Sequence, residues 1–141
     1  MKLLTHIMIA WLVAAPARGD DSLYVVVNAG SKVEQLSHHE LVDIFMGRYD
    51  TFPNGDEVTV FDNASDEALR EEFYRQLVDR SLAQVNAYWA RLQFSGRVTQ
   101  PQEVDSDEAL AEKMQSTPSG ITFVRGSELN QSLKVVHKFD P

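Results

Sequence analysis

The stretch "VTVFDNASDEALREEF", Val58 to Phe73, decides how this chain is organised. Its first residues are β-branched and apolar and read as a strand. "DNAS" supplies turn-forming side chains. Leu69, Phe73 and Leu77 then recur at i, i+4 and i+8, with Tyr74 and Val78 beside them, which marks one face of an amphipathic helix. Ser65 stands at the expected N-cap. A strand that turns into a helix N-terminus presents free amides and the positive end of a helix dipole, an arrangement that holds oxyanions in many α/β proteins. Here the first two residues after the expected cap are Asp66 and Glu67. Their carboxylates compete with any external anion for the same donors.

The flanking segments repeat the pattern. "LYVVVNAG" (Leu23 to Gly30) is nearly all apolar and reads as a strand buried on both faces. "LSHHELVDIFMG" predicts a short helix with a Ser37–Glu40 capping box, a Leu36–Leu41 staple and a stop at Gly47. "EVTVF" (Glu57 to Phe61) is the second predicted strand. Leu82, Val85, Trp89 and Leu92 form the stripe of a third helix, begun by Ser81 and ended near Gly96. A fourth helix is expected from Asp105 or Ser106 to about Gln115, with Glu108 placed for a capping box and Leu110 and Met114 facing inward. "GITFV" (Gly120 to Val124) and "LKVV" (Leu133 to Val136) are late strands. Strands separated by helices predict an α/β domain whose sheet is mixed and mostly parallel, with Phe45, Phe73, Trp89, Leu92 and Met114 in the core. Ligands on such sheets lie near strand C-termini, which is where the Val58 stretch places its helix start.

The N-terminus "MKLLTHIMIAWLVAAPARGDD" has a basic start at Lys2, an apolar run from Leu3 to Ala15 and small residues at the end. It reads as a signal peptide over residues 1–19, too short in its apolar core for a permanent span, and leaves residues 20–141 as one domain. A periplasmic location follows as an expectation, with no membrane insertion after cleavage. Removing Lys2 and Arg18 takes the formal charge from −8 to −10. That balance opposes nucleic acid and anionic lipid. The absence of cysteine excludes disulfides, thiol catalysis and thiolate metal sites.

"LSHHELVDIFMGRYDTFPNGDEVTVFDNAS", "FYRQLV", "NAYWARLQFSGRVTQPQEV" and "TPSGITFV" resemble, in order and spacing, blocks of the phosphate-binding protein of bacterial phosphate ABC importers and its short single-domain relatives. The match runs from about Leu23 to Val136. The resemblance implies a single lobe of a type II periplasmic-binding-protein-like fold, in a family whose full-length members clamp the anion between two lobes. Inorganic phosphate or a related oxyanion is the implied ligand, and a protein partner or a homodimer would complete the second lobe. The family segment that reads roughly Arg-x-Asp-x-Ser-Gly-Thr is occupied here by "FDNASDEA". Ser65 matches the family Ser, and Asn63 stands in place of the Asp. Phe61 replaces the Arg and its fork of donors. Asp66, with Glu67 or Ala68, stands where Gly and Thr would be and brings a carboxylate to the helix N-terminus.

Ser65, Asn63, Asp66 and Arg70 are therefore the candidate ligand-binding residues. Each has an ordinary structural alternative. Ser65 is also a plain N-cap, and Arg70, one turn below Asp66, is also placed for a surface ion pair with it. His38 and His39 point to different faces of their helix and Glu40 is engaged in the capping box, so no metal or other cofactor is expected. His137 and Asp140 read as solvated tail residues. No Gly-x-Ser-x-Gly elbow, Walker loop or His-Glu-x-x-His motif occurs, and no enzyme is expected. "YWARLQF" has the aromatic content of a stacking platform but the spacing of a core-facing stripe. Two functions stay open: a solute-binding module for phosphate or a related oxyanion, and an accessory, protein-interaction module that keeps the lobe without the ligand.

Overall fold

A computed structural model describes residues 20–96 and 98–140; the expected signal peptide, residues 1–19, lies outside them. The elements, in order, are β1 (Leu23–Asn28), α1 (His38–Phe45), β2 (Thr59–Asn63), α2 (Glu67–Val78), α3 (Leu82–Ser95), β3 (Gln102–Val104), α4 (Asp107–Ser116), β4 (Gly120–Arg125), a 3₁₀ turn (Gly126–Glu128) and β5 (Leu133–Phe139). The five strands form one sheet in the order β3-β2-β4-β1-β5. β2 pairs in parallel with β3 and β4, whereas β1 pairs antiparallel with β4 and β5. Four of the five strands thus run the same way, and β1 alone is reversed.

Helices cover both faces, as the double-sided apolar pattern of β1 requires. Val25 and Val27 join Phe45, Phe73, Phe123 and Trp89 in the larger core, under α1, α2 and α3. Val26 points the other way, into a smaller core with Phe61, Val104, Leu110 and Met114 under α4. Phe73 stacks on Phe123 with ring centroids 3.8 Å apart, and Phe45 meets Phe73 edge-on at 4.8 Å. Of the five expected core residues, Leu92 is only partly buried.

Four local expectations are revised. β2 begins at Thr59 rather than Glu57, because Thr51 and Glu57 bridge and Val58 N–H donates to Asp50 C=O, which closes a loop before the strand. The strand then runs on through polar Asp62 and Asn63, whose side chains find buried partners. β3 is an added edge strand of three residues, "QEV", without apolar alternation. α4 is capped by Ser106, so Ala109 and not Glu108 stands at the third position; the Ser106 hydroxyl accepts from the Ala109 amide and no capping box forms there. His137 is no tail residue: it lies in β5, with Nδ1 3.0 Å from Leu36 C=O. The capping boxes of α1 (Ser37–Glu40) and α3 (Ser81–Gln84) are both complete. Gly47 follows α1 at φ +78°, a conformation that suits glycine, and a Cβ there would come within 2.9 Å of the Trp89 ring.

Candidate functional site

The C-terminal ends of the parallel strands β2, β3 and β4 bring the candidate residues to one edge of the sheet, between the N-termini of α2 and α4. Asn63 closes β2 and is 1% exposed. Its Nδ2 donates to Phe123 C=O at 2.9 Å, and its Oδ1 accepts from the Ser65 amide at 3.2 Å and the Ser65 hydroxyl at 2.6 Å. The side-chain amide is therefore engaged at both ends in holding the turn. Ala64 N–H donates to Val104 C=O at 2.9 Å and ties the turn to β3.

Ser65 is not the cap of α2. Asp66 takes that position, with extended backbone, and its Oδ1 accepts from the amides of Ala68 (3.0 Å) and Leu69 (3.3 Å). The carboxylate sits on the donors that an oxyanion would use, and a charge there is favoured by the helix dipole. Ser65 Oγ instead lies 2.6 Å from Asn63 Oδ1 and 2.8 Å from Asp107 Oδ1, so its one proton is shared between two acceptors. Asp107 is the first residue of α4. Both helix N-termini that face this edge thus carry a carboxylate of the chain itself.

Arg70 does not pair with Asp66. It turns inward to Asp62, with Nε 3.1 Å from both carboxylate oxygens and Nη2 2.9 Å from Oδ2, and Nη2 also meets Glu103 at 3.1 Å. The Tyr74 hydroxyl donates to Asp62 Oδ2 at 3.0 Å. Burial pushes the Asp62 carboxyl above its ordinary value, a rise that the Arg70 fork and the Tyr74 hydroxyl oppose. Burial, the largest single influence, would lower the Arg70 guanidinium, but the hydrogen bond and charge of Asp62, with Tyr74 and Glu103 nearby, together outweigh it and hold it high. The Tyr74 hydroxyl is pushed well above its ordinary value by burial and by the neighbouring carboxylate. This cluster lies under α2, and Nε and Nη2 of Arg70 are both engaged by carboxylates of the chain.

The cation that does reach Asp66 is Arg125, at the end of β4. Its Nε is 3.8 Å from Asp66 Oδ2, and its Nη1 is 3.2 Å from Glu72 Oε2 and 3.3 Å from Asp21 C=O. Sequence reading passed over Arg125; the only signal was its place at the C-terminal end of a strand in an α/β sheet. Phe61, which stands at the family Arg position, is 3% exposed and packed in the core under α4, so its side chain is turned away from the edge. The neighbouring histidines have separate partners: His38 Nε2 is 2.7 Å from Leu77 C=O, and His39 pairs with Asp43 at 3.3 Å.

No protein-family model matches the chain, and no curated protein is significantly similar in sequence. Solved structures are similar in fold. A Clostridium perfringens protein described as a phosphate ABC transporter substrate-binding protein, with phosphate bound, aligns at TM-score 0.65 and 15% identity over 82% of this chain and 44% of its own. An ABC-type phosphate transport receptor from Vibrio cholerae aligns at 0.61 and 15% identity, over 84% of this chain and 46% of its own. PstS from Borrelia burgdorferi aligns at 0.60 and 12% identity, over 82% and 46%. The chain spans less than half the length of each of these three structures. At these identities the likeness establishes the fold: α/β, a mixed sheet flanked by helices, similar to part of a phosphate-transporter substrate-binding protein.

Proposed function

We propose that the chain is an exported, periplasmic module of the solute-binding-protein type that acts as an accessory or protein-interaction element and holds phosphate weakly at best. Residues 1–19 act as a cleaved signal peptide and residues 20–141 as the working domain. No helix among the described residues is long and apolar enough to cross a membrane. The observation that carries the reading is the Asp66 carboxylate seated on the Ala68 and Leu69 amides. An incoming phosphate would have to displace it, and would meet Asp107 beside Ser65 as well. Among the candidate residues, Ser65 and Asn63 hold the turn and Arg70 serves the buried Asp62, so Asp66 decides access.

Calorimetric titration with inorganic phosphate tests this. Wild type should bind no tighter than millimolar, near −4 kcal/mol. Asp66→Asn keeps an acceptor for the cap and removes the charge, and should tighten phosphate at least about tenfold at low salt. Micromolar binding by wild type that Ser65→Ala abolishes would reject the reading in favour of a working oxyanion site. Restoring an arginine at Phe61 is a poor test, because that side chain is buried under α4.

A further inference from the structure

At the other end of α2 lies a second feature. The C-terminal residues of α1 and α2 and one side of α3 enclose an open groove of about 820 Å³. Its floor is apolar, with Met46, Leu77 and Tyr88, and its rim carries Arg48, Arg80 and Arg91. Arg48 reaches Asp43 at 3.5 Å, whereas Arg80 and Arg91 have no salt-bridge partner among the described residues. No aspartate or glutamate lines the groove. Residues 20–141 hold 11 Lys and Arg, the 13 of the chain less Lys2 and Arg18, against 21 acids. Three of these few cations converge on one apolar cleft, which is the reverse of the charge balance of the domain.

We propose that this groove docks an acidic amphipathic helix of a protein partner. The apolar floor takes the hydrophobic stripe, and the guanidinium forks take carboxylates flanking it. The walls are helices, so no free strand edge is offered for an extended peptide to pair with. Tyr88 is half-buried and fixed by its hydroxyl, which donates to Met46 C=O at 2.7 Å and so presents a rigid ring to the occupant. Tyrosine and arginine are the side chains that most often dominate such interfaces. A flat anionic membrane is disfavoured, because the acidic remainder of the surface would be brought against it. α2 has 12 residues and is about 18 Å long, so the groove is well separated from Asp66.

The proposal rests on the interaction-module reading, and its test is independent of phosphate. The probe is a synthetic leucine–glutamate amphipathic helix of roughly five turns, compared by fluorescence anisotropy with a peptide in which lysine replaces every glutamate. The glutamate peptide should bind at least about tenfold more tightly than the lysine peptide and weaken as salt rises. Arg80→Glu combined with Arg91→Glu should lose at least about tenfold of that affinity. Both side chains are exposed, so the thermal midpoint should be retained. Failure of the glutamate peptide to bind, equal binding of the two peptides, or an unaffected double variant would overturn the proposal. So would sedimentation showing a dimer that the double variant dissociates, which would make a second copy the occupant. Binding to phosphatidylglycerol vesicles without binding to the peptide would do the same. Phosphate titration of the same samples keeps the two questions apart, since micromolar phosphate would reject the functional reading and leave the groove result standing.

Discussion

Replacing Arg70 by leucine should unfold much of the margin on which this domain stands. Arg70 contributes three contacts to Asp62 and one to Glu103, and its side chain is 12% exposed against 4% for Asp62. Losing it strands a buried carboxylate with a single remaining donor, Tyr74. Breaking a buried pair from one side costs about 3–5 kcal/mol, a large fraction of the ~5–15 kcal/mol typical of a domain. Asp62→Leu with Arg70→Leu removes both charges, and should recover most of that loss, less the ~1–3 kcal/mol of leaving the Tyr74 hydroxyl unpaired. Urea denaturation followed by circular dichroism measures both. An Arg70→Leu variant within about 0.5 kcal/mol of wild type would refute the reasoning, because an arginine that faces a ligand, and not a buried carboxylate, leaves stability nearly unchanged.

The same cluster has a pH signature. Burial holds the Asp62 carboxyl above its unfolded value of 3.8, so the folded state takes up the proton first. Its contribution is fully present below pH 3.8 and is lost as pH rises through the folded value, so wild type should gain stability relative to Asp62→Asn in urea melts as the pH is lowered, and a relative loss would contradict this. Trp89→Ala should cost about 3–5 kcal/mol, since the side chain is 3% exposed in the larger core. Trp89→Phe should cost clearly less, because the indole N–H it removes has no hydrogen-bond partner; equal losses in thermal or urea melts would contradict that. Asp66→Ala should lower stability by about 1 kcal/mol through loss of the cap. Ser65→Ala should lower it less, and the reverse ranking would return the cap to Ser65.

Much of this architecture was legible because local rules and tertiary packing agree. The apolar run of β1, the boxes at Ser37 and the stop at Gly47 each specify one conformation, and their positions follow from the residues alone. The mixed, mostly parallel sheet follows from the alternation of strands and helices. For the candidate residues, the position at a strand-to-helix turn was legible and the wiring was not. Ser65 and Asp66 are both good caps, and the choice between them depends on Asn63 and Asp107 competing for the Ser65 hydroxyl, contacts that involve a residue 42 positions away. Arg70 looked like a partner for Asp66 because helical spacing sees only the helix. Its real partner, Asp62, lies on the preceding strand, and the bond depends on how α2 packs on β2. β3 escaped notice because an edge strand of three polar-leaning residues has no periodicity to detect. The arginine groove likewise joins Arg48, Arg80 and Arg91 from separate segments.

The central claim is that the N-terminus of α2 is already occupied by Asp66. Backbone amide resonances of Ala68 and Leu69, followed by ¹⁵N-correlated NMR during titration with inorganic phosphate, test it at the atoms concerned. The account predicts that both amides stay essentially unmoved up to about millimolar phosphate in wild type, and respond at concentrations at least about tenfold lower in Asp66→Asn. Saturable shifts of these two amides at micromolar phosphate in wild type would contradict it.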